Sequence, residues 1–252
     1  MKEDIYEDAQ KRLIFALDVS DRKRALYWVD LLKEKVGIFK IGLELFLSEG
    51  KDLIDEIRRR TGAKIFLDLK FHDIPATVLG ACYQVVHYNV DFITVHAFPK
   101  AGLFNNFFKN KVKILGVTVL TSLGPEDLIQ LGIRKELAYN PERLVLERAK
   151  MAKEAGCAGI VCSGREVKMV KGALGKDFIA VTPGIRLAKE QIQDQKRVVT
   201  PFQAVRNGAD YLVIGRSIRM AKDPLKRVDE IIEEIIRALS FENKKPPCDS
   251  ST

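Results

Sequence analysis

The stretch Ile65-Phe66-Leu67-Asp68-Leu69-Lys70-Phe71-His72-Asp73-Ile74-Pro75 decides how this chain is read. An apolar run gives way to a proline-led helical pattern, so a strand ends in charge and passes directly into a helix. Side chains on an extended backbone alternate with period two, which places Asp68 and Lys70 on one face. Asp73 follows after the turn. Two carboxylates and an ammonium therefore gather at the buried end of a strand. Charges taken out of water are costly unless paired, so this grouping points to chemistry.

The same strand-then-helix pattern recurs along the chain. Short β-branched or apolar runs at 13–17, 38–41, 64–67, 92–95, 113–120, 159–162, 178–181 and 211–214 make eight strand candidates. Several are nearly continuous apolar runs, as expected of parallel strands covered on both faces. Helical stretches fall between them. Ser20 is the expected cap of a helix over 21–33, Thr200 precedes a first-turn Pro201, and Asn207-Gly208 stops that later helix. Eight such units without a Gly/Ser/Pro-rich linker predict a single (β/α)8 barrel over 1–241, with 242–252 a disordered tail. An open doubly wound sheet is the alternative, but the glycine-rich dinucleotide turn is absent after the first strand. The connection at 99–110 is short for a full helix, whereas 122–140 has room for an extra one.

Composition narrows the class. With 46% hydrophobic and 30% charged residues among 252, the chain reads as a globular protein, and no apolar run approaches membrane-spanning length. The start MKEDIYEDAQKR is charged and unlike a signal peptide. Cys82, Cys157, Cys162 and Cys248 lack paired metal-ligand spacing and read as reduced thiols, which suits the cytoplasm. The net charge of +8 comes from Lys and Arg interleaved with Asp and Glu on helices. No nucleic-acid recognition motif accompanies it. Such a balance also steers small anionic substrates.

A barrel collects its chemistry at the carboxyl ends of its strands. Asp18, Lys40, Asp68 with Lys70, His96, Thr121-Ser122, Ser163-Gly164, Thr182-Pro183-Gly184-Ile185-Arg186 and Gly215-Arg216 stand there in order. The loops after the last two strands commonly bind phosphate. Gly215 allows close backbone approach, Arg216 supplies a charged fork, and the next helix presents its N-terminus. Arg186 is delivered to the same place by the Pro183-Gly184 turn. The polar segment 187–197, containing Gln195, is a candidate lid.

These elements, with Phe39-Lys40-Ile41-Gly42 before and Asp194-Gln195 and Val213-Ile214-Gly215-Arg216 after, resemble the orotidine 5′-phosphate decarboxylase family over roughly residues 12 to 238. The resemblance implies a homodimeric (β/α)8 barrel that converts orotidine 5′-monophosphate to UMP without metal or organic cofactor. It makes Lys70 the acid that protonates C6 and sets Asp68 against the departing carboxylate. Lys40 bridges the carboxylate cluster and the ribose, beside Asp18. Asp73 and Thr77 reach across the dimer into the partner's site. Ser122 reads the pyrimidine, Pro183 lies against the base, and Gln195, Gly215 and Arg216 grip the phosphate, with Arg186 in the same motif.

The segment His96-Ala97-Phe98-Pro99-Lys100 departs from the family by lacking paired glycines, so His96 reads as a packed residue. His72 and His87 read as structural. The nearest rival is a metal-dependent sugar-phosphate decarboxylase or aldolase-type synthase of the same barrel, for which Glu44 is a candidate ligand. Lys40, the Ile74-Pro75-x-Thr77 continuation and Gln195 favour the nucleotide. A non-catalytic phosphoribosyl binder is the reading from a different class.

Overall fold

The computed structural model describes residues 2–97, 100–107, 111–187 and 199–242. Among them, β1 (Leu13–Ala16), β2 (Ile38–Gly42), β3 (Lys64–Phe71), β4 (Phe92–His96), β5 (Lys113–Val117), β6 (Gly159–Val161), β7 (Ile179–Thr182) and β8 (Tyr211–Ile214) form one closed parallel barrel in chain order. Helix α1 (Lys2–Arg12), not foreseen from the charged start, precedes β1. Helices α2 (Arg22–Leu32), α3 (Leu43–Arg60) and α4 (Pro75–Val86) follow the first three strands. The described part of the β4–β5 connection makes turns that bury Phe104 and Phe107. The expected extra helix after β5 is two short ones, α5 (Pro125–Gln130) and α6 (Lys135–Ala138), before α7 (Pro141–Glu154). Helix α8 (Val167–Leu174) follows β6, α9 (Pro201–Arg206) follows β7, and α10 (Arg216–Arg219) and α11 (Pro224–Glu242) follow β8. No helix among the described residues is long and apolar enough to cross a membrane.

Alternation along each strand separates two cores. Ile14, Ile38, Phe66, Phe92, Leu115 and Val181 fill the barrel interior. Their neighbours, such as Phe15, Phe39, Ile65 and Ile93, pack outward under the helices. Both faces are buried, which is why the strands read as unbroken apolar runs. The carboxylate of Asp21, not the Ser20 hydroxyl, caps α2 by accepting from the Arg24 N–H at 2.9 Å. A negative cap also suits the positive end of a helix. Thr200 and Gln203 cap α9 reciprocally, and Gly208 follows its end at φ 97°.

One device recurs half a barrel apart. Asp91 stands just before β4 and Asp210 just before β8. Each accepts from the amide of the preceding strand, Ile65 N–H at 2.8 Å and Ala180 N–H at 2.7 Å. Each also holds a cation, Arg58 for Asp91 and Lys171 for Asp210. The residues two before them, Asn89 and Gly208, both have positive φ. Carboxylates thus pin the strand starts at the amino end of the barrel, opposite the site.

Candidate active site

The barrel mouth opens into a cavity with three kinds of wall. Asp18, Lys40, Asp68 and Lys70 line it from the β1–β3 side. Val117, Val119, Leu120, Val161 and Cys162 supply an apolar wall from β5 and β6. Pro183, Gly184, Arg186, Gly215 and Arg216 close it from β7 and β8. A charged wall, an apolar wall and a cationic wall suit a ligand with an ionised reacting group, a flat ring and an anionic end.

The charged wall is a chain of alternating signs. Lys40 Nζ lies 3.2 Å from Asp18 Oδ1 and 3.5 Å from Asp68 Oδ2. Lys70 Nζ lies 2.8 Å from Asp68 Oδ1. Burial alone would push the Lys40 ammonium down. Asp68 and Asp18 outweigh it and hold Lys40 above its usual range. Burial would likewise raise Asp68, but Lys40 and Lys70, with a hydrogen bond from Thr94, hold it below the ordinary carboxylate range. The signs fix the pH behaviour. Asp68 contributes stability above its unfolded pKa that is lost as pH falls through its lowered folded value. Lys40 contributes stability that is lost only as pH rises through its raised one. Two ammoniums flanking Asp68 also occupy it against a divalent cation. Glu44, the ligand the rival reading needs, is exposed and does not line the cavity.

Simple strand alternation does not deliver Lys70. Leu67 pairs with Ile93 and Phe71 with Val95, so Asp68, Leu69 and Lys70 bulge opposite the one residue Thr94. This carries β3 to Phe71 instead of stopping at Leu67. Lys70 adopts φ 52°, a left-handed conformation uncommon outside glycine. Strained backbone of this kind persists only where its surroundings enforce it. Here the Lys70 N–H donates to Thr94 Oγ1 at 2.9 Å, and Thr94 Oγ1–H donates to Asp68 Oδ1 at 2.9 Å. Thr94 is fully buried. A hydroxyl within Phe92-Ile93-Thr94-Val95 was the signal available for it, and the sequence reading passed over it.

At the cationic wall, a Cβ on Gly215 would sit 3.1 Å from Asp18 Oδ2 and Ala16 Cβ, so a side chain there would crowd the cavity floor. Helix α10 is only four residues long, so its end adds little field, and Arg186 and Arg216 supply the cationic charge of this wall. A bridge between Ile185 and Val199, with Arg186 N–H donating to Val199 O at 3.1 Å, joins the residues on either side of the candidate lid. Gln195 and residues 188–198 lie outside the described residues. Ser122 is exposed and does not line the cavity, whereas its neighbour Thr121 does. Asp73 and Thr77 are exposed at the start of α4 and away from this chain's own cavity. His96 packs edge-on against His72, ring centroids 5.1 Å apart. Burial, then His72, Arg148 and Lys70, lower its pKa, which suits a neutral packing residue.

Fold and cavity together define a (β/α)8 barrel with a charged cavity at the carboxyl ends of its strands, where enzymes of this fold carry their active sites. Residues 11–231 match the sequence model of the orotidine 5′-phosphate decarboxylase / HUMPS family, and the chain belongs to that family. It is 48% identical over 233 residues to an orotidine 5′-phosphate decarboxylase of Desulfosudis oleivorans, covering 90% of this chain and 94% of that protein. It is 44% identical over 247 residues to one of Syntrophus aciditrophicus, covering 93% and 96%. Among solved structures, the orotidine 5′-phosphate decarboxylase of Lactobacillus acidophilus superposes with a TM-score of 0.74 at 34% identity, covering 88% of this chain and 98% of that one.

Proposed function

We propose that the barrel, residues 1–241, decarboxylates orotidine 5′-monophosphate to UMP in pyrimidine biosynthesis. The observation that carries this reading is the Asp68 carboxylate, only 12% exposed, held between two ammoniums at the cavity. Asp68 lies against the substrate carboxylate. Like unit charges about 4 Å apart repel by roughly 4 kcal/mol at an effective dielectric near 20. That repulsion ends when the group leaves as neutral CO2. Lys70 is attracted to the negative charge developing on C6 and delivers its proton there, so it favours the transition state over the ground state. Lys40 keeps Asp18 and Asp68 in place and reaches the ribose hydroxyls with Asp18.

The phosphate goes to Gly215, Arg216 and Arg186, with Gln195 assigned to the same end. Pro183 packs on the base. Ser122 is assigned to the pyrimidine edge, a role its cavity-lining neighbour Thr121 is placed to share. The candidate lid 187–197 is assigned to the remote phosphate, so energy gained far from C6 serves the reaction. The two ammoniums provide the positive charge, and no metal or organic cofactor enters the scheme.

The working unit in this proposal is a homodimer in which Asp73 and Thr77 complete the partner's site. Their exposure, with the exposed apolar Ile74 next to Asp73 and with Leu43 and Leu47 exposed on α3, supports it. The buried thiols of Cys82, Cys157 and Cys162, none in a disulfide, suit the cytoplasm. The primary test follows orotidine monophosphate by absorbance before and after exhaustive chelation, with an unchanged rate expected. No turnover, or turnover abolished by the chelator, would reject this reading, the second in favour of sugar-phosphate chemistry. Mixing inactive K70A and D73N chains tests the dimer. Hybrid dimers carry one intact site, so activity should return to about a quarter of wild type. No recovery on mixing exchangeable chains would refute the shared site.

A further inference from the structure

We infer that Thr94 is a positioning residue for decarboxylation, fixing through one hydroxyl both the carboxylate of Asp68 and the main chain of Lys70. The inference rests on the roles proposed above for those two residues. Thr94 lies on β4 two residues beyond Phe92, which fills the barrel interior, so it faces inward on the same side. It is completely buried. A polar side chain there is costly unless its bonds are satisfied.

Its bonding leaves no freedom in hydrogen placement. A backbone N–H can only donate, so the 2.9 Å contact from Lys70 makes Thr94 Oγ1 an acceptor. An ionised carboxylate can only accept, so the 2.9 Å contact to Asp68 Oδ1 takes the hydroxyl proton. The same Oδ1 receives Lys70 Nζ at 2.8 Å. Thr94 therefore closes a ring: hydroxyl to Asp68 carboxylate, carboxylate to Lys70 ammonium, Lys70 amide back to the hydroxyl.

The bulge explains why a side chain is needed. Asp68, Leu69 and Lys70 stand opposite Thr94 alone, between the pairs Leu67–Ile93 and Phe71–Val95. The regular ladder is interrupted there, and the Lys70 N–H is satisfied by the threonine hydroxyl. Lys70 also sits at φ 52°, where a lysine does not remain without support. Valine in place of Thr94 would keep the volume and the β-branch while removing both bonds. Asp68 would be free to rotate, and the Lys70 backbone free to relax towards an ordinary strand. Either movement displaces the ammonium relative to C6.

The experiment compares T94V and T94S with wild type on orotidine monophosphate, and measures UMP binding and thermal midpoint alongside. A misplacement of the order of 1 Å costs up to about 100-fold in rate. T94V is therefore expected to lose about 10- to 100-fold in kcat, with UMP affinity within about threefold, since Arg216 and the apolar wall are untouched. T94S, which restores the hydroxyl, should recover kcat to within about threefold of wild type. Wild-type kcat in T94V overturns the inference, as does a T94S as slow as T94V. Parallel loss of kcat, UMP affinity and thermal midpoint also overturns it, because that is a purely structural effect. If T94V does not fold, T94C against T94S decides: the weak thiol donor should run at least about tenfold slower, and equal rates reject the idea. A wild-type enzyme that does not turn over orotidine monophosphate overturns the proposed activity and this inference with it, a failure told apart from the others because it precedes any substitution.

Discussion

The two ends of the barrel use ion pairs in opposite ways. At the amino end, Asp91 and Asp210 each hold one cation and one strand amide, on ordinary strand geometry. Charges there are matched one to one, and the positive φ of Asn89 and Gly208 falls in the turns before the strands, not within the ladder. At the carboxyl end, Asp68 carries two ammoniums, its neighbour Lys70 is left-handed, and the ladder with β4 is interrupted. Asp18, Lys40, Asp68 and Lys70 balance two against two, so Arg186 and Arg216 leave the cavity lining net positive, which is poor design for stability alone. It makes sense where a substrate bearing its own negative charges completes the set. Identical residue types thus stabilise at one end and serve the proposed reaction at the other, and the difference lies in the cations that the cavity lining carries beyond its own carboxylates.

The largest expected break in this contrast comes at Lys70. K70A should lose about 10⁴-fold in kcat, the upper range for a general acid, with nucleotide binding largely kept. Retained turnover in K70A would remove Lys70 from the chemistry. At the other end the effect should move from rate to stability. D91N and D210N should each cost about 1–3 kcal/mol in denaturant unfolding while kcat of the folded enzyme stays unchanged. A lowered kcat at an undiminished folded fraction would show that the two ends are coupled, and the division would fail. The smallest effect sharpens the claim of strain. Glycine tolerates φ 52° where alanine does not, so K70G should be more stable than K70A by about 1 kcal/mol, both being inactive.

Much of this was readable along the chain. The eight apolar runs announced the barrel because parallel strands buried on both faces leave an unbroken apolar trace. Asp18, Lys40, Asp68, Lys70, Pro183, Arg186, Gly215 and Arg216 were all placed at strand ends, and all line the cavity. Where the reading slipped, a contact distant in sequence had decided the outcome. Alternation put Asp68 and Lys70 on one face, but pairing with β4 stretches β3 and turns Lys70 left-handed. Of the pair Thr121-Ser122 at the end of β5, Thr121 lines the cavity and Ser122 is exposed, a choice that depends on how the chain leaves β5 and not on residue type. Ser20 and Asp21 are both good caps, and one residue of register separated them.

What the amino-acid order determined unaided was periodic and local: eight strand-helix units, their caps, and an acid-base cluster at the strand ends. Each of those is set by interactions within a few residues, so it leaves a mark in the linear text. The tertiary structure alone decided that Thr94, 24 residues beyond Lys70, holds that lysine and Asp68 together, and that Asp91 and Asp210 pin the far end. A single hydroxyl or carboxylate carries no period. Its partner is chosen by barrel closure, which brings distant strands to hydrogen-bonding distance only once the whole sheet has formed.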